Sequence, residues 1–328
     1  MPTSDALHEL SGDWPVQQPS GQSRWTDLDG PVHYLDFGGP AGGPVIVCVH
    51  GLGGSAVNWA AIAPLLADRY RILAPDLAGH GLTRSAGRGS SVAVNRALLH
   101  RFIESVPGGP VILMGNSMGG MISLLEAAAV PSAVAGLILV DPAVPFVSAQ
   151  TGSQVAAKFV VKAAPGVGRV LLGRHRGVSP EALVASNMSL CCEDAARVPA
   201  DVVAQHVELV RRRAAFTDGR RDLAVATRSV IATLGYFRGK AYRRGIRSIT
   251  CPVLLLHGER DRVVPVAAAR AVTRVNPSWS LVVLPGVGHV PQLESAHDSA
   301  RVITEWLGAA GRPAAESATP GVRVSALS

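Results

Sequence analysis

The chain has 328 residues, of which 48% are hydrophobic, and it carries a formal net charge of +7 at pH 7. This composition is that of a globular protein with a large core, and it excludes an intrinsically disordered chain. No run of about 18 uncharged apolar residues occurs, so we expect no transmembrane helix. The four cysteines lack disulfide-framework or metal-site spacing and the chain begins without a secretory signal, so we expect a cytoplasmic protein.

The positive charge is concentrated in the middle of the chain. Residues 144–249 contain 17 of the 31 Lys and Arg residues and only 7 of the 24 Asp and Glu residues. A basic surface of this kind can attract an anionic substrate, an acidic carrier protein or a lipid surface. A solvated, arginine-rich helical surface without any partner explains the same pattern, and both interpretations stay open.

Short apolar segments alternate with helical patterns along most of the chain. Residues 1–21 are polar and rich in Pro, Gly and Ser, and we predict a disordered leader there. Seven apolar runs then predict strands at 32–37, 44–49, 70–74, 111–114, 136–140, 253–256 and 281–284. Helical patterns lie between them at 92–106, 118–129, 266–275 and 297–307. Residues 311–328 lack periodicity, and we predict a disordered tail.

The alternation of strands and helices predicts an α/β fold with a mostly parallel sheet between two helical layers. One interval of roughly 110 residues breaks it and contains only helical patterns, at 154–162, 180–188, 200–213 and 223–237. We therefore predict a core formed by residues 22–143 and 250–310, and a helical lid inserted at residues 144–249.

The most informative segment joins the strand at 111–114 to the helix at 118–129. It reads Gly115-Asn116-Ser117-Met118-Gly119, a G-x-S-x-G pattern. A serine on a sharp strand-to-helix turn is exposed at the edge of the sheet, and its crowded backbone needs small neighbours such as Gly115 and Gly119. The start of the helix supplies free N–H groups where negative charge develops in a reaction. Ser117 is the candidate nucleophile.

This strand, turn and helix resemble the nucleophile elbow of the α/β-hydrolase superfamily, and the resemblance extends over residues 32–307. It implies an eight-stranded, mostly parallel sheet. It also implies an oxyanion hole formed by two backbone N–H groups, one from Leu52 after the strand-end pair His50-Gly51 and one from Met118. We expect His50 to order this loop by hydrogen bonds rather than to transfer protons.

The candidate base is His289, which lies just beyond the last apolar run, where a loop can bring an imidazole to the nucleophile. An imidazole in this role needs a carboxylate to fix its tautomer. Asp261 and Asp141 both follow predicted strands. The family's chain order of Ser, Asp, His matches Asp261, and Asp141 is the alternative, because some members carry the acid one strand earlier.

These residues predict a serine hydrolase that cleaves a carboxylic ester, a thioester or a lactone through an acyl-enzyme. A carbon–carbon hydrolase of ring-cleavage products is the alternative enzyme, although Val290 stands where such enzymes carry Trp. A non-catalytic ligand-binding protein on the same fold is the alternative from another class. We expect a small-molecule acyl substrate, no nucleic acid, no cofactor and no metal, since no dinucleotide loop, P-loop or metal-ligand spacing is present.

Overall fold

The computed structural model describes residues 21–85, 87–145 and 177–310. Within these residues eight strands form one sheet, whose members are β1 (Gln22–Asp27), β2 (Pro31–Asp36), β3 (Val45–Val49), β4 (Arg71–Pro75), β5 (Val111–Asn116), β6 (Val134–Val140), β7 (Val253–Gly258) and β8 (Ser280–Leu284). Their order across the sheet is β1-β2-β4-β3-β5-β6-β7-β8. β2 runs antiparallel to β1 and β4, and every other pair is parallel. The mostly parallel, eight-stranded sheet predicted from the sequence is confirmed.

Helices cover both faces of the sheet, which is why its central strands are apolar without alternation. β3 illustrates this, because Val47 and Val49 join the apolar cluster on one face, whereas Ile46 and Cys48 join the cluster on the other. The helices of ten or more residues are α1 (Val92–Ser105), α2 (Met118–Ala129), α3 (Pro180–Cys191), α4 (Ala200–Arg213), α5 (Gly219–Leu234), α6 (Tyr236–Arg247), α7 (Val266–Val275) and α8 (Ala296–Ala310). Single helical turns occur at Ala56–Trp59, Ala63–Leu66, Pro131–Ala133, Ala195–Arg197 and Pro291–Glu294.

The sequence predicted three helices with the bounds that the structure has, α2, α4 and α7. It missed β1, because most of this edge strand is exposed and its side chains show no apolar run. The single helix predicted at 223–237 was wrong, because Gly235 adopts an extended conformation, with φ −67° and ψ 174°, and separates α5 from α6. The helix predicted at 154–162, the tail at 311–328 and all but the last residue of the leader lie outside the described residues.

Helices α3 to α6 are inserted between β6 and β7 in the chain. α6 packs against α2 and α5, and α5 packs against α1. The hydroxyl of Tyr242 donates to the carbonyl of Ala143 over 3.0 Å, and Ser90 Oγ donates to the carbonyl of Asp222 over 2.8 Å. Hydrogen bonds therefore fix α5 and α6 directly to the core. Among the residues that the structure covers, none of the helices combines the length and hydropathy that crossing a bilayer requires.

Candidate active site

Ser117 occupies the turn between β5 and α2, with φ 54° and ψ −115°. A non-glycine residue in this region of backbone space is strained, and such strain persists only where the surroundings enforce it. Two backbone hydrogen bonds enforce it here: Ser117 N–H donates to the carbonyl of Val140 over 3.0 Å, and Ala143 N–H donates to the carbonyl of Ser117 over 3.1 Å. The Ser117 hydroxyl does not cap the helix, and the residue is half-buried, so its oxygen is left for chemistry.

The two glycines of the pattern are required by close backbone approach. A Cβ on Gly119 would lie 1.9 Å from the carbonyl oxygen of Val49 and 2.6 Å from that of His50. A Cβ on Gly115 would lie 2.6 Å from the carbonyl oxygen of Gly119. The first turn of α2 therefore packs directly on the backbone at the end of β3, which brings the β3 loop to Ser117.

The substitution Gly119→Ala is expected to destabilise the fold by about 3 kcal/mol, because the added methyl group meets backbone atoms that cannot move aside. Urea unfolding of this variant and of the parent measures the difference. Gly109→Ala is the matched control, since nothing lies within 4 Å of a Cβ at that position. Equal stability of the two variants would contradict the close approach of α2 and β3.

The loop after β3 lies against the turn that carries Ser117. Val49 pairs with Gly115 in the parallel register of β3 and β5. A Cβ on Gly51 would lie 3.2 Å from Ser117 Cβ, so the two loops are in contact. Leu52 N–H has no acceptor among the described residues. Met118 is the first residue of α2, and its N–H therefore has no acceptor within the helix. Both sequence-predicted donors are available beside Ser117.

His50 is fully buried and uses both ring nitrogens on the backbone. Nδ1 donates to the carbonyl of Gly51 over 2.8 Å, and Nε2 accepts from Leu77 N–H over 3.0 Å. Burial lowers the pKa of His50, so the ring is neutral in this tautomer at neutral pH. This arrangement orders the Gly51 loop and leaves no ring nitrogen free for proton transfer.

His289 lies beyond β8 and contacts Asp261, which lies beyond β7. The distance from His289 Nδ1 to Asp261 Oδ2 is 2.7 Å. Asp261 Oδ1 accepts from the N–H groups of Val263 and Val264, over 2.7 and 2.9 Å. Burial acts to raise the pKa of Asp261, but the contact with His289 outweighs it and the pKa is lowered. Asp261 is therefore ionised and fixes His289 with a hydrogen on Nδ1, which leaves Nε2 as the basic nitrogen.

The loops of Ser117 and His289 are joined through the backbone. Asn116 Nδ2 donates to the carbonyl of His289 over 3.1 Å. Within the described part of the chain, no hydrogen bond joins the Ser117 hydroxyl to the His289 imidazole. Such bonds are often long without substrate and tighten in the complex. The structure thus brings the two loops together, with the imidazole already oriented by its carboxylate.

Asp141, the alternative acid, lies near both Asp261 and His289 but forms no hydrogen bond with the imidazole in the described part of the chain. Its Oδ1 accepts from Gly258 N–H over 3.0 Å and lies 3.3 Å from His257 Nε2. Burial and the charge of Asp261 raise the pKa of Asp141 well above its usual range. This shift favours the protonated form of Asp141, because two adjacent buried carboxyl groups resist carrying two charges.

The side chains of Asp141, Asp261 and His289 also carry atoms of the kinds that bind metal ions. Ligand atoms of Asp141, Asp261 and His289 all lie within 4.8 Å of one another. Carboxylate oxygen and imidazole nitrogen are common metal ligands. The hydrogen bond between His289 and Asp261, together with the bonds that both carboxyl groups accept from backbone N–H groups, accounts for their proximity and leaves the His289 imidazole oriented for proton transfer.

Glu294 is a residue of this site to which the sequence assigned no role. Its buried carboxylate accepts from three backbone N–H groups: those of Gly288 over 2.8 Å, Asp194 over 2.8 Å and Glu193 over 3.1 Å. His289 N–H donates to the carbonyl of Cys191 over 2.6 Å. Glu294 therefore ties the histidine loop to the segment that follows α3. Arg197 Nη1 lies 3.9 Å from Glu294 Oε1, but the hydrogen-bond partners of Glu294 are backbone groups. Such partners leave no mark in the sequence, so only the position of an acidic residue in an apolar segment could have pointed to it.

The substitution Glu294→Gln is expected to lower kcat by about 10–100-fold with KM changed only a few-fold, because the amide turns its NH₂ group toward a backbone N–H and displaces His289. Steady-state kinetics, with urea unfolding at the same pH, separates this effect from loss of stability. The matched control is Glu305→Gln, an exposed glutamate on α8 that pairs with Arg301. Kinetics indistinguishable from those of the control would contradict a positioning role for Glu294.

The fold and the site define a hydrolase-type α/β protein, with a strained serine on a strand-to-helix turn and a histidine–aspartate pair beside it. A family model described as alpha/beta hydrolase fold matches residues 44–296. The chain therefore belongs to the α/β-hydrolase fold family.

Three curated relatives match over most of the chain. A pimeloyl-[acyl-carrier protein] methyl ester esterase of Methylococcus capsulatus is 28% identical, over 81% of this chain and 95% of its own length. A 2-hydroxy-6-oxononadienedioate/2-hydroxy-6-oxononatrienedioate hydrolase of Cupriavidus pinatubonensis is 27% identical, over 88% and 96%. The acetyltransferase component of the acetoin cleaving system of Pseudomonas putida is 28% identical, and the chain spans 63% of that longer protein.

A solved structure shares the fold. The crystal structure of a lipase from Acinetobacter baumannii superposes with a TM-score of 0.71 at 23% identity, over 89% of this chain and 92% of the lipase. At this level of identity the likeness concerns the fold alone. The substrate has to be argued from the site of this chain.

Proposed function

We propose that this chain is a serine hydrolase that cleaves a carboxylic ester, or a related thioester or lactone, through an acyl-enzyme on Ser117. One observation carries the proposal: the His289–Asp261 pair is joined, through Asn116, to the strained turn that exposes the Ser117 hydroxyl. Esterases among the relatives support the reaction type.

In the first half of the proposed reaction, His289 Nε2 takes the proton of Ser117, and the serine oxygen attacks the carbonyl carbon of the substrate. The oxyanion that forms accepts hydrogen bonds from the N–H groups of Leu52 and Met118. The loss of one such donor costs about 10²–10³-fold in rate, so a preorganised pair is a major part of the catalysis. Asp261 stabilises the imidazolium, which then protonates the leaving alcohol.

In the second half, water takes the place of the alcohol. His289 removes a proton from this water, the resulting hydroxide attacks the acyl-enzyme, and the carboxylic acid leaves as Ser117 regains its proton. Asp141 lies close to Asp261 and takes no part in the proton transfers. Gly51, Gly115 and Gly119 allow the backbone contacts on which this geometry depends, and His50 orders the donor loop. No cofactor takes part in this scheme.

We propose further that the insertion at residues 144–249 serves as a lid and sets substrate specificity. Two contacts support this role: Leu223 of α5 lies 3.6 Å from a Cβ placed on Gly53, and Cys191 at the end of α3 contacts His289. An apolar pocket distinguishes acyl chains by only about 1–3 kcal/mol per methylene, so these contacts do not identify the acyl group of the substrate.

The basic charge of the insertion supports a second, finer proposal for the same region. We propose that, in the cytoplasm, this positive charge attracts an acidic carrier protein or a lipid surface. Binding of the protein to anionic vesicles and to an acidic carrier protein, measured at about 50 and 500 mM salt, tests it, because screening weakens such contacts. Absence of binding at the lower salt concentration would remove this proposal and leave the hydrolase proposal untouched.

A carbon–carbon hydrolase is the second candidate, and the dienedioate hydrolase among the relatives favours it. Val290 argues against it, because such enzymes typically carry Trp immediately after the catalytic histidine. A panel of substrates assayed side by side distinguishes the ester hydrolase from the carbon–carbon hydrolase. It contains p-nitrophenyl esters, an acyl thioester, a lactone and a ring-cleavage dienone. Ester turnover that Ser117→Ala abolishes supports the main proposal, whereas turnover of the dienone alone supports the alternative. A folded protein inert toward the panel would favour a non-catalytic ligand-binding protein.

A further inference from the structure

A second Ser-His-Asp arrangement, which includes neither Ser117 nor His289, joins strands β1 and β2 to the end of β4. Ser23 on β1 has its Oγ 2.9 Å from Nε2 of His33 on β2. Nδ1 of His33 is 2.6 Å from Oδ2 of Asp76, which follows β4. The atoms have the connectivity of a nucleophile, a base and an orienting acid, and the lengths are those of good hydrogen bonds.

The carboxylate of this arrangement is fixed and charged. Asp76 is buried, and it also accepts from Ala56 N–H over 2.7 Å and from Leu82 N–H over 2.8 Å. Burial acts to raise the pKa of Asp76, but the contacts with His33 outweigh it and the pKa is lowered. An ionised carboxylate can only accept, so the hydrogen of a neutral His33 ring lies on Nδ1 and its Nε2 accepts from the Ser23 hydroxyl.

Ser23 is also accessible. It is exposed on the edge strand β1, whereas His33 beneath it is buried. Trp25 lies two residues further along the strand and therefore on the same face as Ser23. Its ring contacts the imidazole of His33 edge to face, with 5.1 Å between ring centroids. The hydroxyl can thus be reached from solvent beside an aromatic surface.

We propose that Ser23 is a second, slow acceptor of acyl or phosphonyl groups from small activated electrophiles such as aryl esters and fluorophosphonates. For an aryl ester, His33 Nε2 takes the Ser23 proton, Ser23 Oγ bonds to the carbonyl carbon, and the bond to the aryloxide breaks. The imidazolium then protonates the aryloxide, which leaves acyl-Ser23 and a phenol. With a fluorophosphonate, Ser23 Oγ bonds to phosphorus, the P–F bond breaks, and fluoride leaves with the proton held by the imidazolium. The ring of Trp25 favours aromatic groups at this position.

The site differs from that of Ser117 in one respect that sets its rate. Ser23 lies inside a strand, so no helix begins at its oxygen to stabilise an oxyanion. We therefore expect Ser23 to react about 10²–10³-fold more slowly than Ser117. Hydrolysis of the adduct lacks the same stabilisation, so the modification accumulates and does not turn over.

The experiment uses Ser117→Ala protein, so its outcome does not depend on the function proposed for Ser117. The protein is incubated for hours with an aryl fluorophosphonate, and the adducts are mapped by peptide mass spectrometry. We expect labelling at Ser23 at least tenfold faster than at Ser248, an exposed serine whose hydroxyl donates to the carbonyl of Gly245 instead of to an imidazole.

Two variants in the Ser117→Ala protein complete the test. Ser23→Ala should remove the adduct, and His33→Gln should slow labelling of Ser23 to the rate of Ser248. If His33→Gln does not fold, the labelling rates of Ser23 and Ser248 in the Ser117→Ala protein are enough to test the proposal. Labelling of Ser23 no faster than that of Ser248 would overturn the proposal and show that Ser23 only supplies a hydrogen bond to His33.

Discussion

Replacement of Ser117 by alanine is expected to lower kcat for a p-nitrophenyl ester by about 10⁵–10⁶-fold, because the nucleophile of a covalent mechanism cannot be replaced by its neighbours. KM should change little, since the contacts that bind the substrate remain. Initial rates on wild type and variant, measured at enzyme concentrations high enough to detect a millionfold loss, check the expectation. Residual activity should come only from the oxyanion donors and substrate positioning.

The fold should tolerate this change. The Ser117 hydroxyl makes no capping hydrogen bond, and the strained turn is held by backbone contacts with Val140 and Ala143 that alanine retains. Urea unfolding should therefore differ by less than about 0.5 kcal/mol from wild type. A stable variant with more than a tenth of wild-type kcat would contradict the role assigned to Ser117.

The second large effect is expected from Asp261→Asn, which should lower kcat by about 10⁴-fold. The amide can donate to His289 Nδ1 and so favours the tautomer with the hydrogen on Nε2, which cannot accept the serine proton. Asp141→Asn is the matched control, because burial and the charge of Asp261 raise the pKa of Asp141 and so favour the neutral form that asparagine mimics. Its Oδ1 can still accept from Gly258 N–H.

Steady-state kinetics of the two variants distinguishes the two candidate acids. We expect Asp141→Asn to stay within a few-fold of wild type, and both variants to keep the native far-UV spectrum. A severe loss in Asp141→Asn with an active Asp261→Asn would reverse the assignment. Equal, severe losses in both would mean that the carboxyl pair acts as a unit.

The parts of the fold that the sequence predicted are those in which local signals agree with tertiary packing. α2 ends before Val130-Pro131, and α7 begins after Pro265, so both helices have boundary signals in the chain itself. β1 was missed because it is stabilised by pairing with β2 rather than by an apolar pattern. The break between α5 and α6 depends on one glycine, which an otherwise helical pattern can also tolerate.

The candidate site also has parts that the sequence predicted and parts that it did not. The turn at Ser117 is visible in the sequence because close backbone approach demands glycine at fixed positions. The partner of His289 is not visible there, because Asp141 and Asp261 both follow buried strands and only the loops decide which carboxylate contacts the imidazole. The part of Glu294 was missed for a related reason, since it binds main-chain N–H groups from two distant segments.

The contact between the histidine loop and the segment after α3 links the insertion to the residue that we propose as the base. His289 N–H is bound to Cys191, and Glu294 binds the two residues that follow Cys192. Burial raises the pKa of the Cys191 thiol to about 11, so this cysteine is a packing residue rather than a competing nucleophile. Changes in the insertion should therefore alter kcat as well as KM.

The most direct test is to react the wild-type protein with an aryl fluorophosphonate for minutes and to locate the adduct by peptide mass spectrometry. The hydroxyl of Ser117, activated by His289, should carry one phosphonyl group per chain, and His289→Ala should slow its formation by orders of magnitude. A folded wild-type protein that remains unmodified at Ser117, or one that reacts there equally fast without the imidazole, would contradict covalent catalysis at this site.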